Sequence, residues 1–471
     1  MAASAAALLL LTLPLSACGG PSSNGEGKDT FEIVTIPPIS VPDQPDERTF
    51  TDLTTYTDNL KELFSVATPA PEGDFTYETT ESGVTVTGYT GGDVVVVIPD
   101  TVDGKPVTAI GEGAFADRVS LKGISIPDSV TSIGKGAFKG CKSLSSLRTP
   151  VFTCEGAPYF GALFGAQTHE ANGSAVPLNL KNLVLTAGEQ IPDYAFYACR
   201  GLQIVSLPET LTQIGDYAFY ACDSLAYITM GETSLKTVGW GAFIGCESLL
   251  ELRLPATVET LGFAMLEGCR NLENLVLPFV GGSRVKEEAE QNTAHVGFLF
   301  GASDYAHTQG FIPASLISVT ILEGGGDIPA NAFFECWSVR EINLPSDVTA
   351  IGRRAFYGCE GLAVMTLPDS VTSVGADAFR GCVRLTSFAG GKELTTLGFQ
   401  AFMDCVSLHT VTLPDTVAHL PNSCFAGCIS LVSLTADGVQ TQGEQVFRHC
   451  GRLGLPWVNP ECVPSETEKK S

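Results

Sequence analysis

A period of about 23 residues constrains this chain more than any other feature. In AFYGCEGLAVMTLPDSVTSVGADAFRGC, residues 355–382, Ala355, Phe356 and Cys359 return as Ala378, Phe379 and Cys382, 23 positions later. Counted from each such cysteine, apolar residues fall at offsets 3, 6 and 8, a proline at 9, apolar residues at 12 and 15, often glycine at 16, and Ala-Phe at 19 and 20. After Cys359 these are Leu362, Met365, Leu367, Pro368, Val371, Val374, Gly375, Ala378 and Phe379. The Phe position, with one Leu, recurs at 115, 138, 196, 219, 243, 266, 333, 356, 379, 402, 425 and 447. A fixed period of this size marks a solenoid, whose units bury their apolar faces only by stacking.

Two longer gaps align with each other. GALFGAQTHEANGSAVPLNL (161–180) and GFLFGASDYAHTQGFIPASL (297–316) share G-x-L-F-G-A, so Phe164 and Phe300 fill the Phe position with Leu-Phe replacing Ala-Phe. The count becomes fourteen rungs, with enlarged rungs over 150–195 and 278–332. The alternation at offsets 6 and 8 predicts one short strand per rung in a parallel sheet, each ending at a proline, where a missing N–H costs little. At about 4.8 Å per rung the stack becomes a curved rod on the order of 65 Å long.

Eleven of the fifteen cysteines, at 141, 199, 222, 246, 269, 336, 359, 382, 405, 428 and 450, share one rung position. Stacked with parallel Cα–Cβ vectors about 4.8 Å apart, they have poor geometry for disulfides, which want Cβ atoms at ~3.8 Å. They read as a buried column of small apolar residues, and neither a disulfide framework nor a metal site is expected. Cys424 takes the Ala position of its rung, and Cys154 and Cys462 lie outside the column.

The opening MAASAAALLLLTLPLSACGG is too short an apolar run to span a bilayer and reads as a signal peptide, residues 1–17. Leu15-Ser16-Ala17-Cys18 is similar to a bacterial lipobox, which makes Cys18 the expected lipidation site and places the remainder outside the cytoplasm, lipid-anchored to the bacterial cell surface. Residues 18–73 form the lipidated Cys and a flexible acidic tether, with ten acidic and three basic side chains after Cys18. Within it Leu53, Tyr56, Leu60 and Phe64 fall near one face of a short helix, read as docking on the main body. The formal charge of −25 disfavours nucleic acid and anionic lipid as partners, so the membrane enters only through the lipid anchor.

The pattern I-G-x-x-A-F-x-x-C-x-x-L-x-x-V-x-L-P, with Met365 at the Val position in IGRRAFYGCEGLAVMTLP (351–368), resembles the BspA-like leucine-rich repeats of bacterial surface proteins. The likeness runs over roughly residues 75–450. It implies an N-terminal cap at 74–114 ahead of the leucine-rich-repeat solenoid at 115–450, and the break of the repeat by Pro456, Trp457 and Pro460 reads as a C-terminal cap and tail, 451–471. It also implies adhesion without catalysis, through binding to a host matrix or cell-surface protein, or to another bacterial surface protein.

Two surfaces are candidates for that binding. Offsets 5 and 7 point outward from the sheet, giving a strand face whose mixed segment holds Tyr227, Thr229, Glu251, Arg253, Asn274, Glu341 and Asn343. The twin loops Ala166–Val176 and Ala302–Ile312 carry His169, Glu170 and Asn172 in one, and Asp304, Tyr305, His307 and Phe311 in the other. Loops on a rigid scaffold concentrate recognition residues, and Tyr305 and Phe311 are the expected anchors. No catalytic motif, metal-ligand spacing or cofactor fingerprint is present, so no cofactor is expected. The alternatives are a structural envelope spacer or self-associating surface protein, and beyond those a glycan-binding or glycan-hydrolysing protein.

Overall fold

The structure is a computed structural model that describes residues 69–231, 234–284 and 293–451. The chain divides into residues 1–50 and 51–471, and every described residue lies in the second unit. The leader, Cys18, the acidic tether as far as residue 68 with its helical stretch, Cys462 and the tail from residue 452 lie outside the described residues.

The repeat folds as a parallel solenoid of about 23 residues per turn. Fourteen short strands form the main ladder, in consecutive segments of six, four and four. The second segment pairs Glu251–Arg253, Asn274–Leu277, Ser318–Ile321 and Glu341–Asn343 in register, with Leu252, Leu275, Val319 and Ile342 side by side in the core. Offsets 5 and 7 face outward along these strands: Val364 and Thr366 are exposed while Met365 between them is buried.

A second parallel ladder, which the sequence pattern did not announce, runs through offsets 14 and 15. Gln190–Ile191, Gln213–Ile214, Thr237–Val238 and Thr260–Leu261 pair in sequence, each burying its second residue. Strands of two residues are too short for alternation to reveal them. The offset-16 glycine follows from this ladder. A Cβ on Gly375 would lie 2.6 Å from Arg353 N and 2.7 Å from Gly352 C, because the backbones of successive rungs nearly touch there.

The N-terminal end is built differently. Phe75–Thr79 pairs antiparallel with Val84–Tyr89, which pairs parallel with Lys105–Ile110, and that strand passes the ladder on to Ser132–Ile133.

The Ala-Phe-x-x-Cys turns close the opposite side. Over residues 196–243 and 333–447 the Phe rings stack from rung to rung, as Phe379 on Phe402 at 5.3 Å and 1° and Phe402 on Phe425 at 5.2 Å and 9°. In most rungs the Phe N–H donates to the carbonyl of the residue just before the next rung's Phe position, as Phe356 N to Ala378 O at 2.8 Å. The Leu-Phe-Gly-Ala turns enter this register as expected: Phe138 N donates to Leu163 O and Leu266 N to Leu299 O, both at 2.8 Å.

Every described cysteine is free, and ten of the eleven column members are buried. The column is not simply apolar. Cys222 Sγ donates to Phe196 O at 3.2 Å, Cys382 Sγ to Phe356 O at 3.1 Å and Cys428 Sγ to Phe402 O at 3.1 Å. Each of these Phe carbonyls already accepts from the N–H of its own rung's cysteine, as Phe356 O from Cys359 N at 3.2 Å. The thiol therefore fills a small space and occupies a second lone pair that would otherwise be buried unused.

Candidate functional site

The twin loops fold as short helical turns held by buried polar groups. In the first, Asn172 is fully buried; its Oδ1 accepts from Gly161 N at 3.0 Å and its Nδ2 donates to Ala195 O at 3.1 Å. Asn172, expected among the binding residues, instead fastens the loop to the next rung and presents nothing to a partner. Thr308 takes the equivalent place in the second loop, buried with its hydroxyl 3.4 Å from Nδ1 of the buried His295. Gly161 and Gly297 are glycines because the Asn172 and Thr308 side chains press on them.

The remaining loop residues lie at or near the surface. His169 stacks on Tyr194 at 4.6 Å and meets Tyr197 edge-on at 5.6 Å, with Glu170 Oε1 at 3.4 Å from its Nε2. In the second loop Tyr305 meets Phe334 edge-on at 5.2 Å, and Phe311 is 42% exposed. Asp304 caps the turn by accepting from Ala306 N at 3.0 Å and lies 2.9 Å from His307 Nδ1. The hydrogen bond to His307 holds the Asp304 carboxyl below its ordinary range. Five rung steps separate the two loops along the stack, from Phe164 to Phe300.

The strand-face residues fall on two sheet segments. Tyr227 and Thr229 lie on the last strand of the six-stranded segment, whereas Glu251, Arg253, Asn274, Glu341 and Asn343 share the next. Several satisfy one another. Arg253 Nε lies 2.8 Å from Glu251 Oε1, and Asn343 Nδ2 donates to Thr320 Oγ1 at 3.2 Å and Glu341 Oε1 at 3.1 Å.

One surface feature escaped the sequence reading. The heptapeptide Asp-Tyr-Ala-Phe-Tyr-Ala-Cys occurs twice, at 193–199 and 216–222. Its tyrosines form two half-buried columns beside the Phe stack: Tyr194 on Tyr217 at 5.3 Å and 12°, and Tyr197 on Tyr220 at 4.9 Å and 3°. His169 joins the first column at its end, so one predicted loop residue belongs to a surface larger than its loop. The doubled heptapeptide was the available signal, but a period-based reading keeps the recurring Ala-Phe and discards its neighbours.

Among the described residues no group of three or more His, Cys, Asp or Glu side chains is arranged to hold a metal ion, and no helix is long and apolar enough to cross a membrane.

Two stacked parallel ladders with a regular turn define the class: a leucine-rich-repeat solenoid. The model of the BspA type leucine rich repeat region matches in six copies over residues 104–155, 177–292 and 326–453, more than half of the chain, and the chain belongs to that family. Repeat proteins of this type are bacterial cell-surface proteins, and leucine-rich repeats generally bind proteins. Similar solved structures include a leucine-rich repeat protein from Bacteroides ovatus, 25% identical, with 81% of this chain and 80% of that one covered at a TM-score of 0.34. A leucine rich cell surface protein from Faecalibacterium prausnitzii is 22% identical, covering 79% of this chain and 96% of that one at a TM-score of 0.32. An internalin from Listeria monocytogenes is 11% identical, covering 80% and 94% at a TM-score of 0.30. No curated protein matches the chain.

Proposed function

We propose that this protein is a lipid-anchored adhesin of the bacterial cell surface, joined to the membrane through Cys18, that binds a host matrix or cell-surface protein, or another bacterial surface protein, without a catalytic step. The observation that carries the reading is the pair of loop turns. The segments matched by the family model leave out 156–176 and 293–325, which hold both. These are therefore places where the chain adds to the plain repeat. The first addition is fastened to the next rung by the buried Asn172, and the second is tied within itself by the buried Thr308 against His295, while His169, Glu170, Asp304, Tyr305, His307 and Phe311 stay at or near the surface. Ordering these groups on a rigid frame lowers the entropy that binding must overcome. Tyr305 and Phe311 are the expected anchors, as aromatic residues dominate protein interfaces. The strand face from Tyr227 to Asn343 is the second contact surface.

The test is binding of the soluble chain from Ser22 onward to a panel of matrix proteins and glycans, beside a variant whose two loops are replaced by plain 23-residue rungs. Saturable binding to a matrix protein that the variant loses supports the reading and its site. Retained binding moves the site to the strand face. Absence of binding throughout the panel favours a structural spacer.

A further inference from the structure

We propose that the tyrosine columns of the Ala-Phe turns, Tyr194 with Tyr217 and Tyr197 with Tyr220, form a docking strip for an arginine-bearing segment of a protein partner. The proposal rests on the protein-binding reading above and assigns the chemistry of the partner.

The first argument is that packing alone does not call for these rings. The interior of the turns is already filled by the buried Phe column, Phe196 on Phe219 at 5.0 Å and 5°. Tyr194 and Tyr217 stand at φ of 58° and 53°, a left-handed backbone that bulky side chains rarely adopt. The same rung position is left-handed throughout the stack, as glycine at Gly136 and Gly241 with φ of 68° and 56° and as Ala264, Asn331, Arg354 and Gln400 elsewhere, so the turn accepts many residue types there and does not itself call for tyrosine.

The second argument comes from the other half of the same molecule. Phe334 and Tyr357 form an equivalent stack at 4.9 Å and 3°. There the chain supplies its own arginines: Arg354 and Arg380 lie over Tyr357 at 5.9 and 6.0 Å, and both reach Asp377, at 3.5 and 3.4 Å. An aromatic stack on this turn face, with an aspartate beside it, thus takes guanidinium groups. Planar guanidinium suits both partners, stacking on the ring and bonding the carboxylate.

The tyrosine columns have the aspartates without the arginines. Asp193 and Asp216 are exposed beside Tyr194, and both raise its phenol's pKa, behind burial and Tyr217 as causes. The rung that follows the tyrosines carries Gly241 and Ile244 where the other half has Asp377 and Arg380. Arg200, which follows Cys199 in the first of these turns, is engaged by Asp223 at 3.4 Å. Among the described residues no guanidinium or ammonium group lies over these four rings. Ring chemistry and charge therefore match a cationic, arginine-bearing polypeptide.

The experiment titrates labelled hexa-arginine, hexa-lysine and an uncharged Gly-Ser peptide into the full chain, followed by fluorescence anisotropy. The variant is Tyr194→Gly with Tyr217→Gly, which keeps the backbone that Gly136 and Gly241 already adopt. The expected result is binding of hexa-arginine in preference to hexa-lysine, weakened roughly tenfold in the variant. A second variant, Arg354→Gln with Arg380→Gln, vacates the internal arginines and should raise the stoichiometry from about one peptide to about two. Equal binding of the two cationic peptides, binding that the glycine variant leaves unchanged, or displacement by neutral maltoheptaose would overturn the proposal. A matrix protein that binds wild type and glycine variant alike would overturn it too, while leaving the adhesin reading intact.

Discussion

Raising the pH should unfold this protein, and the cysteine column sets the range. Burial pushes the thiols of Cys269 and Cys359 up to about 12, and burial likewise raises those of Cys199, Cys222, Cys246, Cys336, Cys382 and Cys428. An unfolded thiol ionises near 8.5, so the folded pKa lies above the unfolded one. Their contribution is then fully present below pH 8.5 and is lost as pH rises through the folded values. At pH 9.5 each thiol favours the unfolded chain by about 1.4 kcal/mol, and these eight together by about 11 kcal/mol. That is comparable with the whole stability of an ordinary domain, about 5–15 kcal/mol. Far-UV circular dichroism and iodoacetamide labelling, followed from pH 7 to 11, should show loss of structure and thiol exposure together, with a midpoint at about pH 9–10.5. A variant with Cys359→Ala and Cys382→Ala separates this from ionisation of other groups. At neutral pH it should be less stable by about 1–2 kcal/mol per site, through a small cavity and a lost thiol hydrogen bond. By pH 9.5 that gap to wild type should nearly close. Structure that persists past pH 11 with thiols still unlabelled, or labelling without unfolding, would refute the account.

Two further perturbations probe the stacking. Gly375→Ala must move successive backbones about 0.8 Å apart to reach an ordinary contact, enough to break the Gly375 N to Ile351 O bond of 2.8 Å. The expected loss is about 1–4 kcal/mol in urea unfolding, whereas Gly310→Ala, with nothing within 4 Å of the new methyl, should be neutral or slightly stabilising. Asn172→Ala removes the acceptor for Gly161 N and the second donor to Ala195 O, and should cost about 1–3 kcal/mol. Faster hydrogen exchange at Gly161 would localise that loss; unchanged exchange would mean that Asn172 does not fasten the turn.

The repeat was legible because one rung cannot bury its own apolar side chains, so stacking forces the same residue types back at the same offsets. Phe164 and Phe300 were found in this way although their turns carry Leu-Phe in place of Ala-Phe. The second ladder was not, because Gln213–Ile214 and its neighbours are two residues long and bury one residue each. Asn172 was misplaced for a different reason. An asparagine in a long polar loop reads as a surface group, and only the folded loop shows its amide bridging Gly161 and Ala195.

Where function sits in such a molecule follows from the same physics. Positions that touch the next rung are held by nearest-neighbour packing, so their identity reports stability and carries little about a ligand. Half-buried positions whose residue types depart from the pattern are less constrained, even where their rings stack from rung to rung. The doubled Asp-Tyr-Ala-Phe-Tyr-Ala-Cys is such a departure, and it differs in kind from the Phe334–Tyr357 stack, which Arg354, Arg380 and Asp377 complete from within the chain. If aromatic stacks on this face existed only to pack, both halves would be free to carry the same internal arginines. The N-terminal half keeps the tyrosines and the aspartates and leaves the cation out, which is the arrangement required when the cation arrives on another molecule.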